Sequence, residues 1–325
     1  MRTELCALLG IEHPILAGAM MGLATPEFAA AVSNAGAMGA LAAGNYRGSP
    51  QLLREAIRRT RALTDRPFLV NVSLFPDLIP VETAGDFFRV VAEEGVGVVE
   101  TSGRSPKAFL PMLKEAGIKV IHKVPAVRYA EKMAAIGVDA VTLVGVECAG
   151  RPGADEVSTL ALIPVAAERL GIPIIAGGGI ASGRAMAAAL ALGASGVVMG
   201  TRLLATDELA LPQIYKERVV QARETDTVLL RTTMGTPMRL HTSEALCQLR
   251  ELERLGTPDW VGGAEYIGGR RAKDAPDGSA ALPLGQGAGQ IHDIRPVGEV
   301  IRAVVDEAER TIRALNQTLG AGAPH

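Results

Sequence analysis

Residues 173–201 read PIIAGGGIASGRAMAAALALGASGVVMGT. A short β-friendly run ends in Gly177, Gly178 and Gly179, an Ala-rich helical stretch follows, and a second apolar run ends in Gly200 and Thr201. Backbone without side chains can approach a ligand closely and offer its N–H groups, and two adjacent strand ends of this kind suit a phosphate dianion. In a (β/α)8 barrel the loops after strands seven and eight commonly hold the phosphate of a cofactor or substrate. Taken alone, the segment also fits two ordinary turns between a strand and a helix, so the rest of the chain has to decide.

Outward from this segment the same grammar repeats. Apolar runs predict strands at 14–18, 38–44, 67–73, 96–102, 119–124, 140–145, 173–177 and 196–201. Continuous apolar runs without alternation belong to parallel strands covered on both faces. Helical stretches separate them at 26–35, 50–63, 86–94, 106–116, 126–136, 158–170 and 182–192. Pro26 and Pro50 stand where first-turn prolines belong. Gly36, Gly95, Gly117, Gly137, Gly171 and Gly193 stand where helices end in glycine. Eight βα units predict an α/β fold closed into a (β/α)8 TIM barrel. The run from Gly117 also echoes the run from Gly171 once two residues are inserted in the second copy at the glycine loop.

The pattern changes after residue 205. Residues 212–256 read as helical, 258–291 are irregular and end in GQGAGQ, and 296–316 form a final helix. The reading is a barrel of residues 1–205 and 292–325 with a C-terminal cap, 206–291, inserted after strand eight. Long irregular segments in compact domains are commonly lids, with disorder around 270–282 as the alternative.

Composition narrows the function. Hydrophobic residues make up 48% and aromatics only 3%, so the large core must be aliphatic. A net charge of −2 gives no bulk attraction to nucleic acid or anionic membrane. Cys6, Cys148 and Cys247 fit neither a disulfide framework nor a zinc cluster. No secretory signal or membrane span is legible, and the expectation is a cytoplasmic protein, with a homodimer one arrangement a cap allows. The five His are scattered without metal-ligand spacing, so no metal is expected. Neither G-x-S-x-G nor a Rossmann G-x-G-x-x-G after a strand occurs.

The residues at the predicted strand ends carry a resemblance. EHPILAGAM, RPFLVNVSLFP, KVIHKVPAVRYA, GVECAGRPG, PIIAGGGIASGR and VVMGTRLLAT occur in this order over residues 10–207. Together they resemble the nitronate monooxygenase (2-nitropropane dioxygenase) family, FMN-dependent barrels that include NADH:quinone reductases and are related to FabK-type enoyl-ACP reductases. The resemblance implies FMN across the barrel mouth. Gly18, Ala19 and Met20 would then pass beside the isoalloxazine ring, with Asn71 and Ser73 along its polar edge. Lys123 would place a cation where negative charge appears on reduction; a structural ion pair is the other reading. Ala149 and Gly150 would offer close backbone approach. Gly177, Gly178, Gly179, Gly200 and Thr201 would take the phosphate, and Gln286 to Gly289 would reach the flavin from the lid.

Two positions depart from the family pattern. Family members usually read ECAGH or EAGGH, with that His the proposed base; here the position is Arg151. A guanidinium stays protonated and cannot take a proton. It can hold a phosphate, carboxylate or developing oxyanion with a planar fork of donors, or lie idle in an exposed loop. Val144 stands where close relatives carry Asp. His122 neighbours Lys123 on a strand, so it should face the helix layer. Cys148 reads as a buried packing residue or a reactive thiol.

The resulting expectation is an FMN-dependent oxidoreductase with Lys123 and Arg151 as catalytic groups and NADH or NADPH as co-substrate. Its second substrate would be a quinone or an activated alkene such as an enoyl thioester, or the same site would run the reverse dehydrogenation. The alternatives are a nitronate monooxygenase, a non-flavin phosphate-binding barrel isomerase or synthase, and a catalytically silent flavin-binding protein.

Overall fold

The computed structural model describes residues 1–46, 49–75, 79–231, 237–255 and 275–320. All eight predicted barrel strands form, each within two residues of its expected range: β1 (Ile15–Ala17), β2 (Gly39–Ala42), β3 (Phe68–Leu74), β4 (Val98–Gly103), β5 (Lys119–Val124), β6 (Ala140–Val144), β7 (Ile174–Gly177) and β8 (Gly196–Met199). Their order is β1-β8-β7-β6-β5-β4-β3-β2, parallel throughout. A parallel bridge from Leu16 to Met38 closes the ring, with Ala17 N donating to Met38 O and Met38 N donating to Ile15 O, both at 2.9 Å. The fold is a (β/α)8 TIM barrel.

Helices α1 (Glu4–Leu9), α2 (Pro26–Asn34), α3 (Pro50–Arg61), α4 (Val81–Glu93), α5 (Leu110–Glu115), α6 (Val127–Ile136), α7 (Thr159–Arg169) and α8 (Gly183–Ala191) accompany the strands. Local chemistry sets their limits. Thr25, Ser49, Ser158 and Ser182 accept a hydrogen bond from the third residue on, capping α2, α3, α7 and α8. Gly137 ends α6 at φ 88°, and Gly36, Gly95, Gly117 and Gly193 are also left-handed. Gly171 does not follow: α7 ends through Leu170 in an extended conformation, and Gly171 keeps an ordinary backbone. Helix α1 had no counterpart in the sequence reading. Its six residues are too few to show a periodicity.

After β8 come α9 (Thr201–Leu204), α10 (Gln213–Gln221), the antiparallel hairpin β9 (Thr227–Arg231) and β10 (Pro237–His241), and α11 (Glu244–Arg254). The expectation of helix throughout 212–256 is therefore corrected. Val228, Leu230 and Leu240 alternate onto one face of the hairpin and are buried with Leu246 of α11 in a small separate core. Residues 256–274 lie outside the described residues, so the expected irregular segment is described only from 275. It runs into a 3-10 turn at Gln286–Gln290.

The C-terminal helix, Val297–Gly320, completes the outer ring against α8. Glu307 accepts from Gly183 N at 2.7 Å, and a Cβ on Gly183 would lie 2.3 Å from Val304 O. Among the described residues no helix is long and apolar enough to cross a membrane.

Candidate active site

A cavity of about 1120 Å³ opens at the C-terminal ends of the barrel strands. Gly18, Ala19 and Met20 line it after β1, Asn71 and Ser73 on β3, Lys123 on β5, and Ala149, Gly150 and Arg151 after β6. Gly178, Gly179, Gly200 and Thr201 complete the wall after β7 and β8. Gly177 does not line it. It stands behind the loop, where a Cβ would meet Val198 Cγ1 at 2.5 Å and Val144 Cγ1 at 3.0 Å. Its role is to let the inner wall close up.

Strand alternation explains the floor. Asn71, Glu100 and Lys123 point into the barrel and meet there: Asn71 Nδ2 donates to Glu100 Oε2 at 2.7 Å and Lys123 Nζ to the same oxygen at 2.9 Å. Thr142 reaches Glu100 Oε1 at 3.4 Å, and Ser102 and Ser73 extend the chain to Asn71 at 3.2 Å each. Glu100 is 2% exposed. A buried charge needs such a partner, so Lys123 is held in an ion pair whose free side faces the cavity. The sequence analysis missed Glu100. Its signal was a lone acid within a predicted barrel strand, VVETS.

The opposite face of β4 and β5 carries Thr101 and His122, whose Oγ1 and Nδ1 lie 2.7 Å apart behind the barrel wall. His122 thus faces the helix layer, as expected. Burial, and secondarily the Lys123 charge, push its pKa down to about 4. Burial pushes the Cys148 thiol up to about 12, so it stays protonated at neutral pH.

Glu147 also went unassigned in the sequence. Its carboxylate accepts from Thr159 N at 3.1 Å, while the Thr159 hydroxyl lies 2.9 Å from Gly177 O and 3.0 Å from Gly178 O. Glu147 and Thr159 therefore brace the glycine loop from behind. Gly178 sits at φ 101° and Gly179 at φ 72°, conformations that favour residues without a Cβ. A Cβ on Gly150 or Gly200 would meet no atom within 4 Å; both glycines border open cavity.

The segment before the C-terminal helix docks on the same rim. Gln286 N donates to Glu147 O at 3.0 Å, Gly285 N to Thr201 Oγ1 at 3.0 Å, and Gln290 Nε2 to Gly179 O at 3.0 Å. Gly287 lines the cavity while Gln286 does not. The hairpin reaches the other side. Arg239 N donates to Gly150 O at 2.7 Å, and its Nε donates to Val146 O at 2.9 Å. The loop carrying Arg151 is therefore held from the hairpin. Arg151 lies over the Phe75 ring, 5.1 Å from its centroid.

A barrel whose strand ends pool glycine turns, an internal cation and a large polar-floored cavity is the layout of a cofactor-using barrel enzyme. The family model for nitronate monooxygenase matches residues 2–307, and the chain belongs to that family. It is an oxidoreductase of that family. It is 37% identical over 78% of its length to a (3aS,4S,5R,7aS)-5-hydroxy-7a-methyl-1-oxo-octahydro-1H-indene-4-carboxyl-CoA dehydrogenase of Mycobacterium tuberculosis, spanning 70% of that protein. It is 32% identical over 77% of its length to a probable nitronate monooxygenase of Staphylococcus saprophyticus, of which 81% is covered. Among solved structures, FabK from Thermotoga maritima superposes with a TM-score of 0.88 at 38% identity, covering 98% of this chain and 99% of that one. A nitroalkane oxidase from Streptomyces ansochromogenes superposes at 0.80 with 27% identity, covering 96% of this chain and 100% of that one.

Proposed function

We propose that this chain binds FMN and uses NAD(P)H to reduce an activated alkene, such as an enoyl thioester, or a quinone, or runs the same reaction backward as a dehydrogenation. The observation that carries the reading is Arg151, a permanent cation stacked on Phe75 in the cavity wall, where the family usually places a His. The carboxyl-CoA dehydrogenase relative supports a thioester substrate.

The residues present fit FMN. Gly178, Gly179, Gly200 and Thr201 would hold its phosphate with backbone N–H groups and a hydroxyl, and the open space at Gly150 and Gly200 leaves room for its body. Bound FMN would supply a hydride acceptor and donor at ring N5. Lys123, steadied by Glu100, offers a positive charge at the cavity floor. Arg151 would donate hydrogen bonds to the thioester or quinone oxygen that gains negative charge. Residues 206–291 would cap the barrel formed by 1–205 and 292–325, and keep water from the reacting atoms.

The test is an absorption spectrum of the purified protein, repeated anaerobically with NADH and then NADPH. Flavin bands that bleach with either nucleotide are the expected result, followed by turnover of enoyl thioesters or quinones. Arg151→Ala should lower kcat/KM for the second substrate by roughly a hundredfold, the size of a lost oxyanion donor. Absence of flavin after incubation with FMN would overturn the assignment.

Nitronate oxidation is the second reading, supported by the family match itself. With Arg151 in place of the base, only a preformed nitronate, and not the neutral nitroalkane, would serve. O2 uptake with a nitronate and no nicotinamide would establish it.

A further inference from the structure

We infer that the rim formed by the loop after β4 and by helix α6, which follows β5, is a second anion site, one that takes the ribose phosphate of a phosphoadenosine group. The inference rests on the proposed function, since it names where the nucleotide arm of the thioester or of the reductant would lie.

Among the described residues three cations other than Arg151 border this part of the cavity: Arg104 after β4, and Arg128 and Lys132 on α6. Among the described residues two acids line the same cavity. Asp155 pairs with Arg128 at 2.5 Å, and Glu147 is turned toward Thr159. Lys132 has no carboxylate partner among the described residues; its ammonium lies 5.9 Å from the centroid of Tyr129, and the Arg128 guanidinium lies 4.6 Å from it. Tyr129 is 40% exposed. Long cations held beside an exposed aromatic ring at a cavity mouth make a surface for a base carrying phosphate.

Position separates this site from the one proposed for FMN. The glycine turns that suit the FMN phosphate follow β7 and β8, whereas these three cations follow β4 and β5. They are not needed for the flavin. The cavity, at about 1120 Å³, is also larger than the ~300–1,000 Å³ that encloses one small ligand. A second, elongated molecule can therefore lie over the first, with its charged end at this rim. Two sources share the chemistry: a coenzyme A thioester, phosphorylated at the 3′ position, and NADPH, phosphorylated at the 2′ position.

Calorimetric titration of the purified flavin-loaded enzyme with adenosine 3′,5′-bisphosphate, adenosine 2′,5′-bisphosphate and AMP tests this, with the flavin spectrum recorded on the same sample. At least one bisphosphate should bind about tenfold tighter than AMP, weaken as salt rises, and lose about tenfold in Arg104→Ala or Lys132→Ala, with the flavin spectrum unchanged. Preference for the 3′ isomer assigns the site to a coenzyme A thioester, and preference for the 2′ isomer assigns it to NADPH. Equal binding lost in both variants supports a site used by both. Bisphosphates that bind no tighter than AMP, or that bind both variants as well as the parent, would overturn the inference. Failure of the proposed function shows separately, as a missing flavin spectrum.

Discussion

At the scale of single residues, the buried charges carry the sharpest consequences. Glu100 and Lys123 form one unit, and removing either leaves the other without its counter-charge in a largely enclosed place. Glu100→Ala should cost about 3–5 kcal/mol of stability. The double variant Glu100→Leu/Lys123→Met should cost clearly less than the sum of the single changes in denaturant titrations; additive costs would show that the pair is not coupled. His122 gives a pH signature. Its folded pKa lies at about 4 against 6.5 for the free side chain. Between those values the unfolded chain binds more protons, so stability is complete above pH 6.5 and falls as pH drops toward 4. At about 1.4 kcal/mol per unit, the loss is up to ~3 kcal/mol. Unfolding free energies measured from pH 7 to 4 should fall less steeply for His122→Gln than for the parent, and identical slopes would count against a neutral buried imidazole.

At the scale of elements, small residues set how closely the layers meet. Gly183 opens α8 with Val304 O, Ala308 N and Glu307 Cβ all within 2.5 Å of where a Cβ would stand. Two of these are backbone atoms and cannot swing aside. Gly183→Val should force the C-terminal helix outward and cost about 1–3 kcal/mol, with a lowered melting temperature as the readout; an unchanged melting temperature would mean the helix is not seated there. The loop after β7 spans residues 178–182, against 125–126 after β5. The internal echo in the sequence anticipated that extra backbone.

At the scale of the whole molecule, the barrel and the segment after β8 meet at the site. Arg239 is 6% exposed, and burial pulls its pKa below the usual guanidinium value. It spends its hydrogen bonds on Val146 O, Thr227 Oγ1 and the backbone of Gly150. Arg239→Met would free the loop that presents Arg151. We expect KM for the second substrate to rise about tenfold, with the flavin spectrum retained. A KM equal to that of the parent would show that the hairpin does not position the loop.

The barrel was legible before any coordinates, because eight apolar runs separated by capped helices are local signals that every βα unit repeats. The sequence also located Gly18, Gly150, Gly178, Gly179 and Gly200 of the cavity lining, though not Gly22, Gly103 or Gly153, and placed His122 outside the barrel wall, because strand alternation is local too. It did not yield the hairpin at β9 and β10, whose alternation is short and competes with helix-forming Arg, Glu and Leu nearby. Nor did it yield Glu100 as the partner of Lys123, Glu147 and Thr159 as the brace of the glycine loop, or Arg239 as the tie to Gly150. Each of these joins residues distant in sequence, and which distant side chains share a wall depends on strand register and ring closure. Those partnerships exist only once the ring has closed.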